Sequence, residues 1–413
     1  MATIDKFWTR SGRVDNFEFE LVDSLDFDKS LGMLDGVLGG KLTYSYEADL
    51  RVSGSLNFYT TVEPSKFYNC AVRIYYKPSL SQGQTKNILL ATCFGNVSEV
   101  KFSKGRYSGT LNLVSAIARY KDDALVSTFM LGENKSYKSE FKRMRSEQGT
   151  VGKFCFNSDV GDRKLKTSIS FEVGRPPLEV VQSIASGLDA RYDVSPMGTL
   201  MFEKYIAPSK KECIYVLPKG EYSVTMPDVN ISCPTSDMPN RIVYNCRVSW
   251  KQREYVINKE TGEREKYVIT EKKGQYKTQI REQKKVIGGR AQVSKNHILH
   301  VNTRGRWVTK IFEYDKELDT HDVNSEAQLE QEFEQIKKEA DKKAAQKLSE
   351  LTSACKKYTI ECYYLPLKCG QVVEFEHVAS GIKLHVQAMV TNIELNLGVG
   401  AKMTVTLDHI RGV

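Results

Sequence analysis

Histidines, cysteines and paired acids are the residues through which this chain could do chemistry, because proton transfer, nucleophilic attack and metal ligation all need them. Six histidines are present. His297 and His300 are three apart in a stretch that reads as strand, where that spacing sends them to opposite faces and disfavours a shared metal ion. His377 and His385 fall on neighbouring strands and could meet, with no acid or thiol to complete a site. Asp408 and His409 form a dyad by sequence only, and Glu374 and Glu376 share one strand face as solvent-facing acids do. The nine cysteines are scattered and form no Cys-x-x-Cys pair, so buried reduced thiols are expected rather than a disulfide or zinc framework. The seven-residue spacing of Cys355, Cys362 and Cys369 runs from a helix end into a strand and is not ligand geometry. No Gly-x-Ser-x-Gly elbow, Walker loop, His-Glu-x-x-His helix or dinucleotide-binding glycine motif occurs. The sequence therefore nominates no catalytic, cofactor-binding or metal-binding residue, and the chain is expected not to be an enzyme.

Charge is the chemistry that remains. The formal balance of +9 over 413 residues is modest, but its distribution is uneven. Residues 251–310 hold 16 Lys and Arg against 6 Asp and Glu, so this stretch alone carries the surplus, and residues 311–350 that follow hold 12 acids against 6 bases. Two readings fit: solvated faces that attract each other or a neighbouring copy, or a nucleic-acid groove. Lys272, Lys273, Arg281, Lys284, Lys285 and Arg290 are the candidate contacts to a partner or to a channel. Tyr255, Tyr267, Tyr276 and Trp307 are interleaved with the charges, without the recurrence of a base-stacking platform. The other fractions, 40% hydrophobic and 27% charged with 11 Pro, exclude collagen-like and largely disordered chains. No window offers the eighteen or more apolar residues of a membrane-spanning helix, and the start lacks a signal-peptide pattern, so a cytosolic product without membrane insertion is expected.

The elements that would position these residues are mostly strands. Residues 42–60 alternate apolar and polar positions with a Gly inside the run, which predicts a strand with a bulge or bend. Residues 70–76, 87–94 and 97–102 supply further strands, and 111–120 reads as a short apolar helix. Residues 136–160 read as a polar connector. A β-α-β unit follows: strand 169–173, a helix opened by Pro176 and Pro177, and strand 200–205. Residues 241–250 read as strand and 254–270 as a charged hairpin that projects from the body. Ser325 and Gln328 match a capping box, and Leu329, Phe333, Ile336, Ala340, Ala344, Leu348 and Leu351 recur at helical steps, which predicts one long amphipathic helix over 325–355. Its alanines favour close packing on a sheet. Four strands, 358–365, 371–377, 382–394 and 403–407, end the pattern.

The expected fold is a β-rich α+β multidomain one, with two small β-barrel domains, an intervening α/β domain and one long surface helix. The boundaries predicted are 1–135 for an N-terminal barrel, 136–235 for a connector and small α/β domain, and 236–413 for a second barrel carrying a basic hairpin insertion at 251–295 and the helix.

The order of elements resembles the baseplate hub, or tail-tip hub, proteins of tailed bacteriophages, which also form the base of contractile injection systems. The resemblance is carried by GVLGGKLTYSYEADLRVSGSL at 36–56 and RPPLEVVQSIASGLDARYDVSPMGTLMFEKY at 175–205. It continues with VNSEAQLEQEF at 323–333, AAQKLSEL at 344–351 and YYLPLKCGQVVEFEHVASGIKLHVQAMVTNIELNL at 363–397. The last of these contains the family's Pro-x-x-x-Gly-Gln-Val-Val turn. The resemblance implies a homotrimer without cofactors that acts as a symmetry adaptor. Two barrel units per chain would present six near-equivalent units to a tail tube or distal tail protein, and the other side would accept a threefold spike or fibre. It also implies a place in the virion tail, host cytoplasm during assembly, a central channel for DNA ejection, and no stable nucleic-acid partner. The basic region 251–295 is longer than the family pattern, and the cell-wall hydrolase activity fused to some relatives is not expected. The alternative on charge alone is a basic β-barrel nucleic-acid-binding protein.

Overall fold

The computed structural model describes all residues except 1, 4, 10–11, 62, 64–69, 81–82, 218–224, 233–237, 259–263, 267–275, 296, 298, 319–325, 353–355, 380–381 and 411–413. Side chains are described for these residues other than 2–3, 6, 9, 98, 215–217, 227, 251–258, 264–266, 276–282, 317, 326, 350, 377–379 and 382–383. Two compact units emerge, one formed by Met1–Ser232 with Lys356–Val413 and the other by Cys233–Cys355. Among the described residues no helix is long and apolar enough to cross a membrane.

Alternating apolar residues build the largest part of the first unit, a sheet of 14 strands. Its centre is the strand Ile382–Asn396. Asn392–Asn396 pairs antiparallel with Lys41–Ser45, while the opposite edge of Ile382–Asn396 pairs with Lys402–His409. From there the sheet runs through Val37–Ser45, Val52–Thr60, Arg106–Ser115, Ile88–Ser103, Cys70–Tyr76 and Phe17–Asp23 to the edge strand Ser30–Met33. Leu42, Leu56, Leu111, Ile360, Val405 and Leu407 are buried in one continuous core under it. At about 1.5–3 kcal/mol for each fully buried aliphatic side chain, this shared core binds the N-terminal and C-terminal strands into one body. The glycine inside 42–60, Gly54, and Gly40 on the facing strand are required by close approach of the two strands. A Cβ on Gly40 or Gly54 would lie 2.2 Å from a carbonyl oxygen of the facing strand, Ser55 and Lys41 respectively, so only glycine lets the two strands cross this closely.

The fold is thus β-rich α+β. Among the described residues no sheet closes on itself. The last four strands, grouped by the sequence with 236–355, lie in the same sheet as the N-terminal ones, joined to them where Ile382–Asn396 pairs with Val37–Ser45, because their alternating faces complete the same core. Residues 111–120, expected as a helix, continue the strand Arg106–Ser115, and helix begins only at Ala118. Leu111 and Leu113 flank Asn112 with period two, and burial of that face outweighs local helix propensity.

A second core in this unit gathers Tyr120, Phe141, Met144, Ile184 and Phe202. The connector expected at 136–160 contains the helix Tyr137–Glu147, capped by Ser136, whose side chain accepts from the Ser139 amide. Its apolar stripe is only Phe141 and Met144, too short to stand out among charged neighbours. The expected β-α-β unit is replaced by two small sheets. Ile169–Phe171 pairs with Phe129–Leu131, whereas Leu200–Lys204 pairs antiparallel with Ala190–Val194 and parallel with Phe154–Phe156. The helix Pro177–Gly187 stands where expected, with proline in its first turn.

The second unit is a sheet under a helix. Arg241–Asn258 pairs antiparallel with Tyr276–Gln292 along its length and parallel with Thr309–Leu318 over Arg241–Trp250. The helix Glu326–Thr352 lies across this sheet and buries Ile336, Ala340, Ala344 and Leu348 against Ile242, Cys246, Val248 and Ile287.

Candidate interaction surfaces

The histidines do not assemble as a reactive group. His300 caps the short helix Val301–Arg304, accepting from the Asn302 amide through Nδ1 at 3.3 Å, and His297 accepts from the Leu299 amide at 3.1 Å. Both lie in turns rather than in the strand the sequence suggested. Register pairs His377 with Leu384 and places His385 opposite Glu376. The His385 ring lies 3.2 Å from Glu376 through Nδ1 and 3.7 Å from Glu374 through Nε2. The two acids meet opposite nitrogens, so they cannot share one ion with the ring. Asp408 is buried, accepts from the Thr391 hydroxyl at 3.1 Å and lies 3.9 Å from Lys357. Burial raises its carboxyl above the ordinary aspartate value against the pull of Lys357 and Thr391. Its neighbour His409 points to the other side of the strand.

The first surface is the open face of the large sheet. Period two sends every second residue of seven adjacent strands away from the core, and those residues are almost all hydroxyls and amides. One row across the strands reads Thr359, Thr406, Asn392, Ser45. The next reads Glu361, Thr404, Glu394, Thr43, Ser53, and a third reads Asn396, Lys41, Ser55, Asn112, Asn96. The Thr110 hydroxyl donates to Asn57 at 3.0 Å on the same face. Three charges stand in these rows, Glu361, Glu394 and Lys41, and Lys402 stands beside them opposite Tyr363. They cancel, and Lys41 pairs with Glu394 at 2.5 Å. A shallow groove crosses this face between Gly40 and Thr404. The apolar half of the alternation was legible in the sequence. The polar half carries the signal for this wall.

The second surface is the basic region. Lys272 and Lys273 lie outside the described residues. Arg281 is on the strand Tyr276–Gln292 opposite Gln252, with its side chain outside the described set. Lys284, opposite Ser249, and Arg290, opposite Val243, share the sheet face turned away from the helix. Lys285 points to the helix side, with its ammonium 4.2 Å from the centre of the Phe333 ring. Among the described side chains, strand alternation therefore sets Lys285 apart from Lys284 and Arg290. The second half of the hairpin expected at 254–270 falls mostly outside the described residues; Arg264–Lys266 pairs with Tyr255–Ile257.

Helix and sheet pack closely here. Gly289 lies beneath the helix, where a Cβ would stand 2.2 Å from the Ala340 carbonyl carbon. The Arg290 amide donates to Asp341 Oδ1 at 2.8 Å. Phe333 meets Trp250 edge to face at 5.2 Å, and Lys343 lies 4.1 Å over the Tyr314 ring. Burial lowers the Lys343 ammonium below the ordinary lysine value.

No protein-family model and no curated protein matches the chain. Solved structures do. The 43 kDa tail protein of prophage MuSo2 from Shewanella oneidensis aligns with a TM-score of 0.54 at 12% identity, over 95% of this chain and 98% of that one. A tail protein from Neisseria meningitidis aligns with a TM-score of 0.55 at 10% identity, over 95% and 97%. At these identities the likeness establishes the fold: this chain has, over nearly its whole length, the fold of phage tail proteins.

Proposed function

We propose that this chain is a structural hub of a phage tail, or of a related injection machine, and that it works by contact rather than by catalysis. Three copies form a ring around a central channel. The N-terminal and C-terminal halves of the large sheet curl as two barrel-like units per chain, which gives six for a sixfold tail tube or distal tail protein, and the opposite side accepts a threefold spike or fibre. The protein is made in host cytoplasm and ends in the virion tail.

The observation that carries this reading is the polar, charge-balanced wall on a sheet whose other face is one unbroken core. Such a wall suits a lumen through which a polyanion moves. Lysine and arginine would hold phosphates with a strong, salt-dependent affinity, and a row of acids would repel them. Hydroxyls, amides and cancelled charges do neither. The fold shared with phage tail proteins supports the same reading.

Size-exclusion chromatography with light scattering tests it. A species of three times the 46.9 kDa chain mass is expected; a chain that stays at the single mass across micromolar to hundred-micromolar concentrations overturns the ring.

A further inference from the structure

We propose that copies of this chain join through the large sheet. The 96–103 stretch of the strand Ile88–Ser103 in one copy pairs antiparallel with the outer edge of Thr225–Ser232 in the next. This rests on the hub reading for its closed ring and names the contact that closes it.

The chain already contains one junction of this kind. Five strands of the N-terminal half follow in sequence: Val37–Ser45, Val52–Thr60, Cys70–Tyr76, Ile88–Ser103 and Arg106–Ser115. They lie in the order first, second, fifth, fourth, third, each antiparallel to its neighbour. Thr225–Ser232, Lys357–Tyr363, Val372–Ala379, Ile382–Asn396 and Lys402–His409 repeat that chain order, that spatial order and those directions. Beyond these five the halves diverge, since Phe17–Asp23 runs against Cys70–Tyr76 whereas Cys213–Leu217 runs with Val372–Ala379. In both halves the fourth strand outlasts the third and leaves a length of edge over. In the C-terminal half that edge, Asn392–Asn396, is covered by the first strand of the N-terminal half through Lys41–Ser45. In the N-terminal half it is 96–103, which among the described residues pairs only with Arg106–Ser115. The first strand of the C-terminal half, Thr225–Ser232, pairs only with Lys357–Tyr363 among the described residues. The two open edges are thus the counterparts of the two that meet inside the chain.

Side chains carry the same mark. At the internal junction the core-facing Leu42, Ile393 and Leu395 are buried. At the open edges, Phe102 stands opposite Tyr107, which packs on the core, and Ile231 stands opposite the buried Tyr358, so both face the core side. They are nevertheless 63% and 54% exposed. A neighbouring copy covers both, and removal of this apolar surface from water favours the contact. A bare strand edge templates any extended chain. A second copy is selected because this fold covers the equivalent edge with its own first strand. The two edges differ, so the contact is heterologous and closes by rotation, each junction between copies repeating the junction within a chain.

The test places cysteines on the polar face, where Asn230 stands opposite Thr359. Asn230→Cys is combined in turn with Asn96→Cys, Glu99→Cys or Lys101→Cys, with the parent and each single variant as controls. Under mild oxidant one of the three pairs is expected to form covalent dimers and trimers on a non-reducing gel, because facing Cβ atoms about 4.5–5.5 Å apart are within disulfide reach. The parent and the single variants are expected to remain single chains. Ile231→Asp and Phe102→Asp provide a second reading. Each is expected to weaken association about tenfold or more, with circular dichroism unchanged because both side chains are exposed in the single chain. An oligomer that persists, shows no cross-link in any pair and ignores both substitutions overturns the edge contact while leaving the hub standing. A chain that is single under every condition overturns both.

Discussion

Placing a methyl group on Gly289 is expected to lift the long helix from its sheet, whereas the same change one residue earlier is expected to do almost nothing. The new Cβ at 289 would stand 2.2 Å from the Ala340 carbonyl carbon, 2.3 Å from the Asp341 amide nitrogen and 2.6 Å from the Ala340 oxygen. These are backbone atoms and cannot swing aside. Ordinary contact begins at 3.4 Å, so the helix must retreat by more than 1 Å along the line where Ile336, Ala340, Ala344 and Leu348 are buried. A gap of that size forfeits up to half of each dispersion contact along the seam, and overpacking of this kind costs about 1–3 kcal/mol. Loss of the Arg290 amide bond to the Asp341 carboxylate adds about 1.5–3 kcal/mol. At Gly288 the added Cβ meets only the Asn245 side-chain oxygen at 3.1 Å, which can rotate away. Gly288→Ala is then neutral, or stabilising by about 0.5 kcal/mol from the lost freedom of the unfolded chain. Hydrogen exchange followed by mass spectrometry reads the difference locally. Peptides covering 284–292 and 333–348 are expected to exchange at least about tenfold faster in Gly289→Ala than in the parent, with peptides of the large sheet unchanged. Equal exchange in the two variants would refute the reasoning.

Four further outcomes follow from named groups. Burial holds the Asp408 carboxyl above its unfolded value, so the folded state binds that proton more tightly, and the stability it lends at acid pH is lost as pH rises through the folded value. Asp408→Asn is expected to unfold at a higher denaturant midpoint than the parent at pH 7, with the gap closing below the ordinary aspartate range. Glu140 behaves in the opposite way: burial raises its carboxyl, but bonds from Arg143 and the Gly132 amide outweigh this and hold it below the ordinary value. Its contribution is present above the unfolded carboxylate value and lost as pH falls through the folded one. Glu140→Gln is expected to lower the unfolding free energy at pH 7 by about 1.5–3 kcal/mol and to flatten the acid limb of the stability curve. Burial pushes the Cys93, Cys362 and Cys369 thiols up to about 12, while Cys155 is exposed. Iodoacetamide at pH 8 is expected to label Cys155 and to leave those three intact until the chain unfolds, as mapped by peptide mass. Asn392→Lys with Thr404→Lys adds two positive charges to the polar wall. It is expected to change stability by no more than about 0.5 kcal/mol and to raise duplex DNA retention on filters at low salt above that of the parent.

What the sequence disclosed depended on how much of a segment one period explained. Leu329 to Leu351 keep a helical step for six turns, and the helix Glu326–Thr352 lies where that step placed it, including the close seam at Ala340 and Ala344. The strands from 357 to 409 kept a period of two and were placed within a residue or two. Partnership was harder to read. Nothing local tells Asn392–Asn396 that its neighbour is Lys41–Ser45, some 350 positions away; that choice is made by a core that both sequences fill. The helix Tyr137–Glu147 was hidden because Phe141 and Met144 are its only large buried apolar residues. Of the candidate surfaces, the basic stretch showed itself through its charge, but only strand register separates Lys284 and Arg290 from Lys285. The polar wall was spelled in alternations such as Thr-Val-Thr at 404–406 and Asn-Ile-Glu at 392–394, whose polar members become a surface only once seven strands align.

The orientation of that wall in the assembled ring is the most direct test of the hub. A cryo-EM reconstruction of the purified oligomer is expected to show three copies about one axis, with Thr404, Asn392, Thr43 and Ser55 facing a continuous axial channel. A reconstruction in which this face points outward or is sealed beneath a neighbouring copy would contradict it.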